Sequence, residues 1–222
     1  MTRLITFGCS NTFGQFLPDV WNEETELPID DEGPSQFAWP QILADKLNLK
    51  CCNFGEPGIS NKEIWYNIVN GESFFEIDDI VIICWTYSDR NCIIKSKEIK
   101  QLRYWDTLDV ESRSYYKYIH DYYDMSIDLY MRMNYIKYYL DKKNIFNYHI
   151  MLDEFCGPCK GNYLLRWNYV EFSNISFSRD LDKAKDNKHP GLESHKAFGT
   201  EIYNKIKKKI HKNEQKNQRE IR

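Results

Sequence analysis

Residues 79–85, Asp79-Ile80-Val81-Ile82-Ile83-Cys84-Trp85, form a continuous apolar run behind one acidic residue. A short run of this kind, rich in β-branched side chains, suits a strand buried on both faces, as in a parallel sheet covered by helices. The rest of the chain alternates around it. Strands are predicted at about 3–8, at Lys50–Phe54 and at Tyr148–Leu152, with a further short one within Tyr169–Phe177 of the ambiguous segment Gly161–Arg179. Ser35-Gln36-Phe37-Ala38-Trp39-Pro40 leads into a helix through about Leu47, with Ile42, Leu43 and Leu47 at helical spacing. A second helix is predicted over Asn61–Val69, with Ser60 or Asn61 as its cap. A third is predicted over Met125–Leu140, with Leu129, Met133, Ile136 and Leu140 on one stripe. Strands alternating with helices predict an α/β fold around a parallel sheet. Open sheets of that kind bind ligands beyond the carboxyl ends of their strands.

The first strand, Leu4-Ile5-Thr6-Phe7, closes on Gly8-Cys9-Ser10, which sets a serine at a strand end. A serine hydroxyl is a poor nucleophile until an imidazole takes its proton, and the imidazole needs a carboxylate to fix its tautomer. Asp186-Asn187-Lys188-His189-Pro190 supplies both groups near the other end of the chain. At i and i+3 the carboxylate and the imidazole can share one turn, and Pro190 restricts the backbone just after the histidine. Against this stand the other histidines, His120, His149, His195 and His211. Asp182 is a rival orienter, and Asp186 could instead cap a helix. Position 12 is Thr, so the G-x-S-x-G nucleophile elbow of ordinary α/β-hydrolases is disfavoured.

The same residues resemble the blocks of the SGNH (GDSL-type) hydrolases. Gly8-Cys9-Ser10 is similar to the first block, usually Gly-Asp-Ser, with Cys9 at the non-catalytic Asp position. Asn53-Phe54-Gly55-Glu56-Pro57-Gly58-Ile59-Ser60-Asn61 resembles the second block, and Asp186-x-x-His189-Pro190 the last, followed by a closing helix from about His195 to Ile210. The resemblance implies a three-layer α/β/α sandwich, flavodoxin-like, with about five parallel strands in the order 2-1-3-4-5. It implies Ser10, His189 and Asp186 as a triad and the backbone amides of Ser10 and Gly58 as oxyanion donors. It also implies hydrolysis of small acyl esters, O-acetyl groups on carbohydrate among them, through an acyl-enzyme.

The third block departs from the pattern. The family places Gly-x-Asn-Asp after the third strand, with the Asn side chain in the oxyanion hole, whereas here Trp85-Thr86-Tyr87-Ser88-Asp89-Arg90 follows. The Asn position falls on Tyr87, or on Thr86 if the turn is shifted. One oxyanion donor contributes roughly 2.7–4 kcal/mol to the transition state, so its loss would slow the reaction unless Thr86, Tyr87, Arg90 or Asn61 substitutes. Asn61 is open between a substrate contact and a helix cap. Trp85 and Arg90 are candidates to shape the pocket. Arg90 could steady an anionic substrate group or sit in a surface salt bridge.

With 222 residues, one domain is expected over 1–222, about 93–122 being an insertion able to cover the site and about 211–222 a basic tail. A net charge of −3 argues against general nucleic-acid binding. No leader and no membrane-length apolar run precede or interrupt the strands, and the seven cysteines are irregularly spaced, so a soluble cytoplasmic protein with reduced thiols is expected. A phage-encoded product released by lysis would read the same way. No cofactor or metal is expected. The seven acidic residues between Asp19 and Glu32 lack calcium-loop spacing and read as solvated surface. Cys156-Gly157-Pro158-Cys159 matches a thioredoxin-type redox motif, but no clean helix follows it to lower the first thiol's pKa. Two other functions stay open: a binding or structural module on the same fold, weakened by the missing Asn, and a thiol redox protein.

Overall fold

The computed structural model describes residues 2–22, 24–29, 33–71, 74–96, 98–152, 172–174 and 181–220, with side chains except in 172–174 and 211–220. The elements run β1 (Arg3–Gly8), α1 (Ser10–Phe13), β2 (Trp21–Asn22), β3 (Leu27–Pro28), α2 (Trp39–Leu47), β4 (Lys50–Gly55), α3 (Asn61–Asn70) and β5 (Ile80–Trp85). They continue with β6 (Asn91–Lys95), β7 (Glu98–Leu102), α4 (Val110–Tyr118), α5 (Tyr122–Lys142), β8 (Phe146–Met151), β9 (Phe172–Asn174) and α6 (Leu192–Glu220). The central sheet has the order β4-β1-β5-β8-β9, and every pairing in it is parallel. Counted along the chain, these strands stand in the expected order 2-1-3-4-5.

The period of a strand sorts its side chains onto two faces. Ile5, Phe7, Val81, Ile83 and Trp85 pack with Ile64 and Ile68 of α3 and with Leu129, Met133, Ile136 and Leu140 of α5. Leu4, Ile80, Ile82, Cys84 and Ile150 pack on the other face with Trp39, Leu43 and Ala44 of α2 and with Phe198, Ile202 and Ile206 of α6. All six residues of β5 are buried, as its unbroken apolar sequence requires. Each such side chain contributes about 1.5–3 kcal/mol when fully buried. The result is a three-layer α/β/α sandwich whose β1, β4 and β5 end together at one edge, with Gly8 opposite Gly55.

Seven elements differ from the sequence reading. The segment after Ser10, expected as loop, opens with the one-turn helix α1, and β2 and β3 pair as a small antiparallel hairpin within it. Residues of the expected insertion form the antiparallel hairpin β6–β7 and then α4. The last helix starts at Leu192, because Asp182 accepts hydrogen bonds from the Glu193 and Ser194 amides at its first turn. It also continues to Glu220, through most of the stretch expected as a basic tail. No helix among the described residues is long and apolar enough to cross a membrane.

Candidate active site

Ser10 is the first residue of α1, directly after β1. The turn is tight: a Cβ at Gly8 would lie 2.1 Å from Thr12 Oγ1 and 2.9 Å from the Cys84 carbonyl, so only glycine admits it. The amides of Thr12 and Phe13 return to the Cys9 carbonyl at 2.8 and 3.0 Å. Cys9 itself is fully buried and packs in the apolar core, a role that calls for no carboxylate. Asn53 ties this turn to the next strand. Its Nδ2 donates to the Thr12 carbonyl at 2.8 Å, while its Oδ1 accepts from the Gly55 amide at 2.9 Å.

The histidine reaches Ser10 from a closed loop before α6. Asp186 Oδ1 accepts the backbone N–H of Lys188 (3.1 Å) and of His189 (2.9 Å), and its Oδ2 accepts from His189 Nδ1 at 2.6 Å. Ala184 N–H donates to the His189 carbonyl at 2.9 Å and Lys183 bridges Pro190, which fixes the loop's ends. Burial opposes the charge on Asp186, yet the backbone and ring hydrogen bonds of His189 and the Lys188 amide prevail and hold its carboxyl below the ordinary carboxylate value. An ionised Asp186 accepts, so Nδ1 carries the imidazole proton. His189 Nε2 then offers its lone pair to Ser10 Oγ, 3.1 Å away. Phe16 packs on the imidazole with ring centroids 5.0 Å apart. Phe16 holds φ at +68°, an uncommon conformation for a bulky residue.

Rival residues have other roles. His195 is buried on α6 and accepts the Trp39 amide at Nδ1 (3.1 Å). His149 is buried in β8 and accepts the Trp85 indole N–H at 3.0 Å. Asp182 caps α6. Cys156 to Cys159 and the rest of the C-G-P-C segment lie outside the described residues, where nothing bears on its redox reading. The described cysteines, Cys9, Cys51, Cys52, Cys84 and Cys92, are all free. Among the described residues, no group of three or more His, Cys, Asp or Glu is placed to hold a metal ion.

A cavity of about 430 Å³ opens over Ser10 and His189, lined also by Asn11, Tyr87, Asp89, Arg90, Tyr104, Trp105 and Lys188. Tyr87 and Arg90 thus line the same cavity as Ser10 and His189. Gly58, Asn61 and Thr86 are not among the lining residues, and each has a definite place. Gly58 sits at φ +77°, and a Cβ there would lie 2.7 Å from Arg103 Nη2, so the second block turns under a guanidinium at its glycine. Asn61 neither faces the cavity nor caps its helix, since Ser60 Oγ accepts the Glu63 amide and is the cap of α3. The Asn61 amide instead clasps the third block. Its Nδ2 donates to the Thr86 and Tyr87 carbonyls at 3.0 and 3.2 Å, and its Oδ1 accepts the Thr86 N–H at 2.8 Å. Thr86 is fully buried, its hydroxyl has no hydrogen-bond partner among the described residues, and Trp85 lies in the core rather than the pocket. Tyr104, Trp105, Lys188 and Asn11 escaped the sequence reading. The first two arrive by tertiary folding after β7, and the last two adjoin Ser10 and His189, where adjacency was the available signal.

No protein-family model matches the sequence, and no curated protein matches it. Solved structures do. One, described as a lipolytic protein of the G-D-S-L family from Desulfitobacterium hafniense, is 14% identical with a TM-score of 0.51, covering 92% of this chain and 99% of its own. An acetyl xylan esterase from the rumen bacterium Butyrivibrio proteoclasticus is 11% identical, TM-score 0.53, covering 95% of this chain and 64% of that one. A family two carbohydrate esterase from Clostridium thermocellum, solved with cellohexaose, is 12% identical, TM-score 0.54, covering 94% and 65%. At this identity the likeness defines the fold: the chain has the α/β/α sandwich of the SGNH/GDSL-type hydrolases.

Proposed function

We propose that this protein is a serine esterase that cleaves small acyl esters, O-acetylated carbohydrate among them, through Ser10, His189 and Asp186. The observation that carries the reading is the continuous hydrogen-bond chain from Asp186 through both ring nitrogens of His189 to Ser10 Oγ. His189 Nε2 takes the Ser10 proton as Oγ attacks the ester carbonyl. Asp186 steadies the imidazolium, which then protonates the leaving alcohol, and water releases the acid from the acyl-enzyme. The backbone amide of Ser10 serves the oxyanion, whereas Gly58, which is not among the residues lining the cavity, is left out of the hole. No asparagine stands at the third-block position, and the Asn61 amide is engaged with the Thr86 and Tyr87 backbone. A hole short of one side-chain donor lowers kcat by about a hundredfold or more. The acetyl xylan esterase and the carbohydrate esterase that share the fold support a carbohydrate ester as the substrate class.

Labelling with a fluorophosphonate probe tests the reading. Labelling of the wild type that disappears in Ser10→Ala and in His189→Ala is the expected result. A folded wild type that takes no label and hydrolyses no acetyl ester would reject it in favour of a binding module.

A further inference from the structure

Arg90 leaves the end of β5 in a turn closed by its own amide on the Tyr87 carbonyl at 3.3 Å. Its guanidinium carbon lies 5.0 Å from the Tyr87 ring centroid and 5.6 Å from that of Trp105. Aromatic faces hold the guanidinium by cation–π attraction and stacking, but they give its N–H groups no acceptor. Nε and Nη1 are shielded from solvent and have no hydrogen-bond partner among the described residues. No ion pair to Arg90 exists among the described residues, so the surface salt bridge open at the sequence level is absent there. The folded protein therefore already carries a partly desolvated cation. An anion entering from the cavity supplies the counter-charge without that desolvation having to be repeated.

The cavity wall agrees in sign. Arg90 and Lys188 line it together, against one carboxylate among the described residues, that of Asp89. All three share the space over Ser10 and His189, so the charge of a bound anion and the reacting ester belong to one molecule.

Building on the esterase reading, we propose that the substrate is an anionic ester, its charge a carboxylate or a phosphate, and that Arg90 selects it. Lys188 adds to the attraction, Asp89 opposes it, and Trp105 and Tyr87 fix the guanidinium where the anion arrives.

Three acetyl esters with related phenolic leaving groups provide the test: 4-acetoxybenzoate, 4-acetoxyphenyl phosphate and the neutral 4-acetoxybenzamide. In the wild type, kcat/KM for at least one anionic ester exceeds that for the amide by about tenfold or more, chiefly through KM, as charge-assisted contacts imply. The ester that gains identifies carboxylate or phosphate as the source of charge. Arg90→Gln brings the ratio close to one, and Arg90→Lys keeps part of it. Equal values for all three esters in the wild type, or a ratio unchanged by Arg90→Gln, would overturn the proposal. If the wild type cleaves none of them, binding of 4-hydroxybenzoate and 4-hydroxyphenyl phosphate to Ser10→Ala protein separates the two readings. Binding that weakens about tenfold on adding Arg90→Gln keeps the anion site and rejects the esterase. No such binding rejects both.

Discussion

Asp186 is where one atom's chemistry decides the site. Oδ1 accepts two backbone amides and Oδ2 accepts the His189 ring at 2.6 Å. Asp186→Asn keeps the first role and reverses the second. The new side chain can still accept the amides, but it then presents N–H groups to Nδ1. His189 must move its proton to Nε2, where it points at Ser10 Oγ and no base remains. The expected outcome is a fall in kcat of about 10³–10⁴-fold with the thermal midpoint nearly unchanged. Steady-state kinetics on an acetyl ester and a melting curve measure the two quantities. A loss of less than tenfold would detach Asp186 from the mechanism. The pair was legible in the sequence because its geometry is local: an aspartate three residues before a histidine needs one turn to meet it. Tyr104 and Trp105 were not legible, because β6 and β7 must pair before either reaches Ser10.

Among elements, the clasp between α3 and the exit of β5 organises the pocket wall. Asn61 makes three hydrogen bonds to the backbone of Thr86 and Tyr87, and Tyr87 and Arg90 line the cavity immediately beyond. Asn61→Ala leaves a buried amide and a buried carbonyl without partners, a loss of roughly 1–3 kcal/mol. Urea denaturation should register that loss as a lower midpoint. kcat/KM should also fall, by about tenfold, as the turn carrying Tyr87 and Arg90 loosens. A variant as stable and as active as the wild type would show that the turn is held by other contacts. Strands and core helices could be read ahead of the structure because their burial imposes a period on the sequence. The first turn of α6 could not, because its cap, Asp182, lies ten residues before Leu192. The β6–β7 hairpin was equally hidden: Asn91, Lys95, Glu98 and Lys100 break its apolar alternation.

The whole molecule carries a pH dependence set by two histidines locked in its core. Burial is the main cause that lowers His149 to about 3, with Lys137 adding to it and Asp141 opposing. Burial likewise lowers His195 to about 3, against the pull of Asp182. Both rings act as acceptors in the fold, of the Trp85 indole and of the Trp39 amide, so protonation would remove the lone pair each bond needs. In the unfolded chain both return to an ordinary value near 6.5 and take up protons first. Their stabilising contribution is therefore complete above about pH 6.5 and is lost as pH falls toward 3, by roughly 1 kcal/mol per pH unit for each ring. Glu63 works the other way. Burial first, and Glu56 second, push its carboxyl up to about 7 against Arg103, so its contribution is present at low pH and is lost as pH rises from 4.5 to 7. Between pH 4.5 and 6.5 the two histidines oppose Glu63 and, more weakly, Glu56, which burial also raises, and net stability should rise with pH. His149→Gln and His195→Asn each retain an acceptor and lose the titration, so each should flatten that slope by about half of the pair's contribution. Urea midpoints at pH 4.5, 5.5 and 6.5 give the slope directly. If both variants keep the wild-type slope, the acid sensitivity belongs to the carboxylates, and neither core histidine changes its protonation on folding.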